Sequence, residues 1–171
     1  TPSEKTIYIA TARSTNIVQY VIDQTFYMCL ASVGKNGMML KYVLTQQYKI
    51  CLDAINNNGL ALQYVNTNFI DEKLILHAVN NNGLALEFVT IQSAKICKAA
   101  VNNNGLALQY VLIKDIETEN IAILRNGLSI EYIMEPTQIQ ITNAIKNNPL
   151  SIQYVKQTLE NCKLCILINS F

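Results

Sequence analysis

Asn58-Gly59-Leu60-Ala61-Leu62-Gln63-Tyr64-Val65 decides the fold, because near copies of it recur along the chain. An aromatic residue followed by Val or Ile stands at Tyr20, Tyr42, Tyr64, Phe88, Tyr110, Tyr132 and Tyr154, with gaps of 22, 22, 24, 22, 22 and 22 residues. Self-similarity at such a period marks an array whose units bury their apolar faces against their neighbours. The expected architecture is an all-α solenoid of about seven 22-residue helical-hairpin repeats. Residues 1–171 are expected to form one such domain. The start at Thr1 without Met agrees with a processed product or a piece of a longer polypeptide.

Six residues before each aromatic stands Ser14, Asn36, Asn58, Asn82, Asn104, Asn126 or Asn148, all good helix caps. Gly follows in five copies, Thr15 in the first and Pro149 in the last. Pro fixes φ near −65°, so the site does not demand positive φ, and Pro suits the first position of a helix. A short helix therefore starts at each Asn-Gly. Its apolar residues pair i with i+4, as Leu60 with Tyr64, and only the sixth repeat position stays polar: Gln19, Lys41, Gln63, Glu87, Gln109, Glu131 and Gln153.

A loop of four or five residues leads to a longer helix of about 11, as around Tyr48 to Asn56. Its penultimate core site is Ala54, Ala78, Ala100, Ala122 or Ala144, and the facing short helix carries Ala61, Ala85, Ala107, Ser129 or Ser151. Small residues on both sides let two backbones approach closely. The prolines Pro2, Pro136 and Pro149 fall at expected helix starts, and Thr1 to Glu4 spells a capping box. Thr6 to Arg13 reads as the tail of a long helix with Ala10 at the alanine site. The two extra residues around Asn66 to Lys73 lengthen a surface loop. Leu60-x-Leu62-x-Tyr64 also alternates like a leucine-rich-repeat strand. That reading turns the residue after each aromatic away from the core and puts Asn on the wrong side of the leucines, so the helical reading is preferred.

The Asn-Gly-Leu-Ala-Leu-Gln-Tyr cores at Asn58 to Tyr64 and Asn104 to Tyr110, each preceded by an Ala-Ile or Ala-Val pair, resemble a helical-repeat domain of unknown function found chiefly in giant viruses of amoebae and in some intracellular bacteria. The likeness covers nearly the whole chain and weakens in the first repeat. It implies a helical repeat protein of viral or intracellular-parasite type and supplies no catalytic residues.

Thirteen Lys and Arg balance twelve Asp and Glu, and the cations are scattered singly. A phosphate-tracking surface is normally concentrated and positive, so nucleic acid is the lesser alternative. No apolar run approaches the ~18 residues of a membrane span. Cys29, Cys51 and Cys97 share one repeat position and read as small buried hydrophobes of a reducing compartment. The absence of any Asn-x-Ser/Thr acceptor agrees with an intracellular setting.

Chemistry-bearing constellations are sparse. His77 is the single histidine and lacks a recurring nucleophile beside it; a surface place is expected. Cys162 and Cys165 form a lone Cys-x-x-Cys without a second ligand pair, better suited to an apolar helix face than to zinc. The triplets Asn56 to Asn58, Asn80 to Asn82 and Asn102 to Asn104 suggest an asparagine ladder, but read more simply as corners that tolerate αL and cap helices. No catalytic residue, metal, cofactor or small-molecule substrate is expected. The expected function is a non-catalytic protein-interaction or assembly scaffold. It would bind another protein or another copy of itself through Gln19, Lys41, Gln63, Glu87, Gln109, Glu131 and Gln153.

Overall fold

A computed structural model describes residues 15–169. The readings at Thr1 to Glu4, Pro2, Thr6 to Arg13, Ala10 and Ser14 lie outside them. The chain divides after Phe88 into two compact units, and no strand occurs among the described residues. Each unit is a helical solenoid segment that alternates six-residue 3-10 helices with α-helices.

In the first unit the 3-10 helices Thr15–Tyr20, Gly37–Tyr42, Gly59–Tyr64 and Gly83–Phe88 alternate with the α-helices Phe26–Lys35, Tyr48–Asn57 and Glu72–Asn81. Tyr48–Asn57 packs between the 3-10 helices before and after it and against the α-helices on either side. The second unit repeats the plan. Its α-helices Ala94–Asn103, Ile116–Arg125, Gln138–Asn147 and Leu159–Asn169 alternate with the 3-10 helices Gly105–Tyr110, Gly127–Tyr132 and Pro149–Tyr154. The inserted residues of the third repeat form one extra 3-10 turn, Thr67–Phe69, within an exposed loop.

The short element corrects the sequence reading, since it is a 3-10 helix and not an α-helix. With three residues per turn, i and i+3 eclipse. Gly59, Leu62 and Val65 thus share one buried line, Ala61 and Tyr64 a second, and Leu60 and Gln63 the third. The Gln63 side chain accordingly donates to the Leu60 carbonyl at 3.0 Å. Over six residues an i+4 pairing reads almost as well, which is why the period was open to misreading.

Each Asn cap closes one helix and opens the next, as expected. Asn58 donates its N–H to the Ala54 carbonyl at 2.9 Å and accepts from the Leu60 N–H on its side chain at 3.0 Å. Its backbone is extended, with φ −150° and ψ 111°, and no described residue has positive φ; the αL corner is therefore corrected. Pro149 takes the first helical position after Asn148. Pro136 lies just before a helix whose cap, Thr137, forms a reciprocal box with Gln140.

The asparagine ladder set aside on sequence grounds is present. Asn57 accepts from the Gly37 N–H at 2.7 Å and donates to the Gly34 carbonyl at 2.8 Å. Asn81 does the same to Gly59 and Asn56, and Asn147 to Gly127 and Leu124. The Asn just before the cap, the middle residue of a triplet at Asn57 and Asn81, thus ties its repeat to the preceding one. Beside this tie the two backbones nearly touch: a Cβ at Gly37 or Gly59 would collide with the carbonyl oxygen of Ala54 or Ala78 in the following helix. Glycine is required by this close approach and not by its own dihedral freedom. The expected alanines, Ala54, Ala78, Ala100, Ala122 and Ala144, are all fully buried, as are Ala61, Ala85, Ala107, Ser129 and Ser151 opposite.

Two substitutions probe this joint. Gly59→Ala should cost about 1–3 kcal/mol through backbone overpacking, read as a lower denaturation midpoint. Ser32 occupies the alanine site of its repeat, fully buried, with no partner for its hydroxyl. Ser32→Ala should therefore stabilise by about 1 kcal/mol by removing an unsatisfied polar group. A loss of stability there would show that the hydroxyl is satisfied.

Candidate interaction surface

The polar sixth position lies on the third, outward line of every 3-10 helix. Lys41, Gln63 and Glu87 in the first unit are exposed and Gln19 is half-buried; Gln109, Glu131 and Gln153 in the second unit are exposed. Within each unit successive 3-10 helices pack side by side, so each unit presents a short row. The aromatic that follows flanks the row. Lys41 Nζ sits 4.6 Å from the centroid of the Tyr42 ring, a cation–π geometry. Burial, and then the adjoining Glu131 carboxylate, push the Tyr132 phenol above its ordinary range. Gln109 donates to the Leu106 carbonyl at 3.1 Å, as Gln63 does to Leu60. These side chains are thus anchored on a fixed frame.

A second device, missed from sequence, sits on the opposite end of the repeat. In the loop before the long helix, Gln24, Gln46 and Gln92 reach across to the next repeat. Gln46 donates Nε2 to the Tyr64 carbonyl at 2.7 Å, accepts from the Asn66 N–H at 2.8 Å, and receives the Cys51 thiol at 3.5 Å. Gln24 makes the equivalent set with Tyr42, Leu44 and Cys29, and Gln92 with Tyr110, Leu112 and Cys97. The cysteines are buried as expected, but they are also donors. Where Gln is replaced, by Ile70, Lys114 or Pro136, the residue five positions on is Ile75, Glu119 or Ile141. That co-occurrence was the available signal.

The same edge carries apolar side chains with no cover. Ile22 and Leu44 in the first unit, and Ile91, Leu112, Ile113 and Met134 in the second, are exposed at the loop tips. A hollow of about 290 Å³, lined by Gln92, Ala94, Cys97, Leu112, Ile113 and Asp115, opens between two of these loops. Asp115 caps the following helix by accepting from the Thr118 N–H at 2.7 Å, and this bond holds its carboxyl below the ordinary range. Loop tips are ordinarily polar or turn-forming, which is why these residues were not read as surface anchors.

The remaining sequence candidates lie on two helices, Glu72–Asn81 and Leu159–Asn169. His77 is half-buried on its helix rather than fully at the surface. Cys162 and Cys165 are half-buried, and the Cys165 thiol donates to the Pro149 carbonyl at 3.6 Å. Among the described residues no three His, Cys, Asp or Glu side chains converge as a metal site would need, and no helix is long and apolar enough to cross a membrane.

Residues 48–92 match the model of a domain of unknown function, DUF4116. That stretch spans two α-helices, three 3-10 helices including the extra turn Thr67–Phe69, and the loop up to Gln92, so the chain is similar to this family over two of its repeats. No curated protein and no solved structure matches the chain.

Burial raises the Cys51 thiol from 9.0 to about 11. The folded state keeps this proton where the unfolded chain has lost it. Its stabilising contribution is thus full below the unfolded pKa and declines as pH rises through that window. Melting temperature should drop between about pH 9 and 11, and Cys51→Val should flatten the drop. At pH 8, iodoacetamide should modify the half-buried Cys162 at least about tenfold faster than Cys29, Cys51 or Cys97; mass spectrometry of the native protein reads the order.

Proposed function

We propose that the chain is a non-catalytic protein-interaction or assembly scaffold, with another protein held on the outward line of its 3-10 helices. The observation that carries this reading is the sixth position: it varies among Gln, Lys and Glu while the frame around it repeats. A solenoid holds backbone geometry constant and leaves such positions free to specify a partner. The flanking Tyr42, Tyr64, Tyr110 and Tyr132, half-exposed on rigid elements, are residues enriched where interfaces concentrate binding energy. The Asn-Gly-Leu-Ala-Leu-Gln-Tyr core further supports a repeat protein of giant-virus or intracellular-bacterial type acting inside a cell. Scattered Lys and near-neutral charge favour a protein partner over nucleic acid.

Reversing Lys41→Glu, Glu87→Lys and Glu131→Lys together tests the surface. The variant should keep its far-UV circular dichroism and lose the specific partners that the unaltered chain retains in quantitative affinity purification from its native cells. An unchanged partner set would remove the 3-10 face from consideration. Retention on DNA or RNA that falls steeply with salt would favour the nucleic-acid alternative.

A further inference from the structure

The apolar loop tips of the second unit are not demanded by its fold. Leu112 is 69 %, Ile113 88 % and Met134 99 % exposed, so none contributes appreciably to the core. Neither loop is slack: the Leu112 N–H is held by Gln92 at 3.1 Å, and the Ile133 N–H by the Ile130 carbonyl at 3.1 Å. Below the tips, Ile116 and Ile139 stand in the first turns of their helices, 56 % and 75 % exposed. All five leave more than half of their surface open. Exposed apolar side chains gathered on the loops and first helical turns of adjacent repeats mark an association surface.

The charges beside the tips show which partner fits. Lys114 follows Ile113 and Glu135 follows Met134, both exposed and of opposite sign on adjacent repeats. A two-fold axis passing between the two loops sets each Lys114 opposite the Glu135 of the other copy, and each Leu112–Ile113 tip opposite Met134. Isologous contacts require such self-complementarity, in which residue i meets j and j meets i. A bilayer fits less well, since the acidic Asp115 and Glu135 sit at the tips, where an anionic membrane would favour cations.

We propose that two copies of this chain associate through the 112–116 and 134–139 edges of their second units, as a two-fold pair closed by reciprocal Lys114–Glu135 contacts. Unbranched and flexible, Met134 of the second copy lies at the mouth of the 290 Å³ hollow beside Leu112 and Ile113. The argument for this pairing does not use the 3-10 face, so a monomer would overturn the pairing while leaving the scaffold reading in place.

Sedimentation equilibrium of the full chain tests it. The unaltered protein should form dimers, and Met134→Asp should weaken them at least about tenfold. Lys114→Glu and Glu135→Lys should each weaken association, and the double variant should recover it, because swapped charges again face each other across the axis. All these sites are exposed, and unchanged circular dichroism checks folding. A protein monomeric at every concentration, a dimer indifferent to Met134→Asp, or a double variant as weak as the singles would each overturn the proposal. So would a monomer that binds phosphatidylcholine–phosphatidylserine vesicles through the same edge.

Discussion

The joint between repeats rests on one close approach, that of each Asn-Gly corner to the carbonyl of a buried alanine one helix on. The missing Cβ at Gly37 or Gly59 makes room for it, and the alanines themselves have no further bulk to interfere. Asn57 and Asn81 then complete the contact by satisfying the glycine N–H and a carbonyl of the preceding repeat. Burying two backbones this near each other would strand polar groups were they not paired. Sterics and hydrogen bonding thus select the same short motif, and the 22-residue period follows from it.

The opposite edge is joined by different chemistry. There a side-chain amide, from Gln24, Gln46 or Gln92, reads the neighbouring backbone and receives a buried thiol. Repeats without the Gln also lack the Cys, so the pair behaves as one unit of sequence. The asparagine cap recurs in nearly every copy, whereas the glutamine edge is used selectively. Exposed apolar tips gather on the selective edge.

Much of this was legible before any coordinates. Asn at the corner, Pro149 at a helix start and alanine at the crossing each carry a local physical meaning that survives into the structure. The 3-10 character of Leu60 to Tyr64 was not, because three- and 3.6-residue periods diverge little over six positions. The Asn57 and Gln46 bridges span about twenty residues to groups that are backbone, and backbone leaves no mark in a sequence. Only recurrence, Asn in the middle of each triplet or Gln five before Cys, hints at them. The polar row was readable as exposed; the bare Ile113 and Met134 were hidden by the expectation that loops carry polar residues.

The loop between Val65 and Asp71 accommodates an extra turn, Thr67–Phe69, while the α-helices before and after it, Tyr48–Asn57 and Glu72–Asn81, keep the ten-residue length of the α-helices in other repeats. Length is therefore free to vary at this edge and fixed at the asparagine edge. For protein engineering, that asymmetry makes the glutamine-side loops natural graft points for foreign peptides, and the Asn-Gly corner the seam at which whole modules can be cut and rejoined.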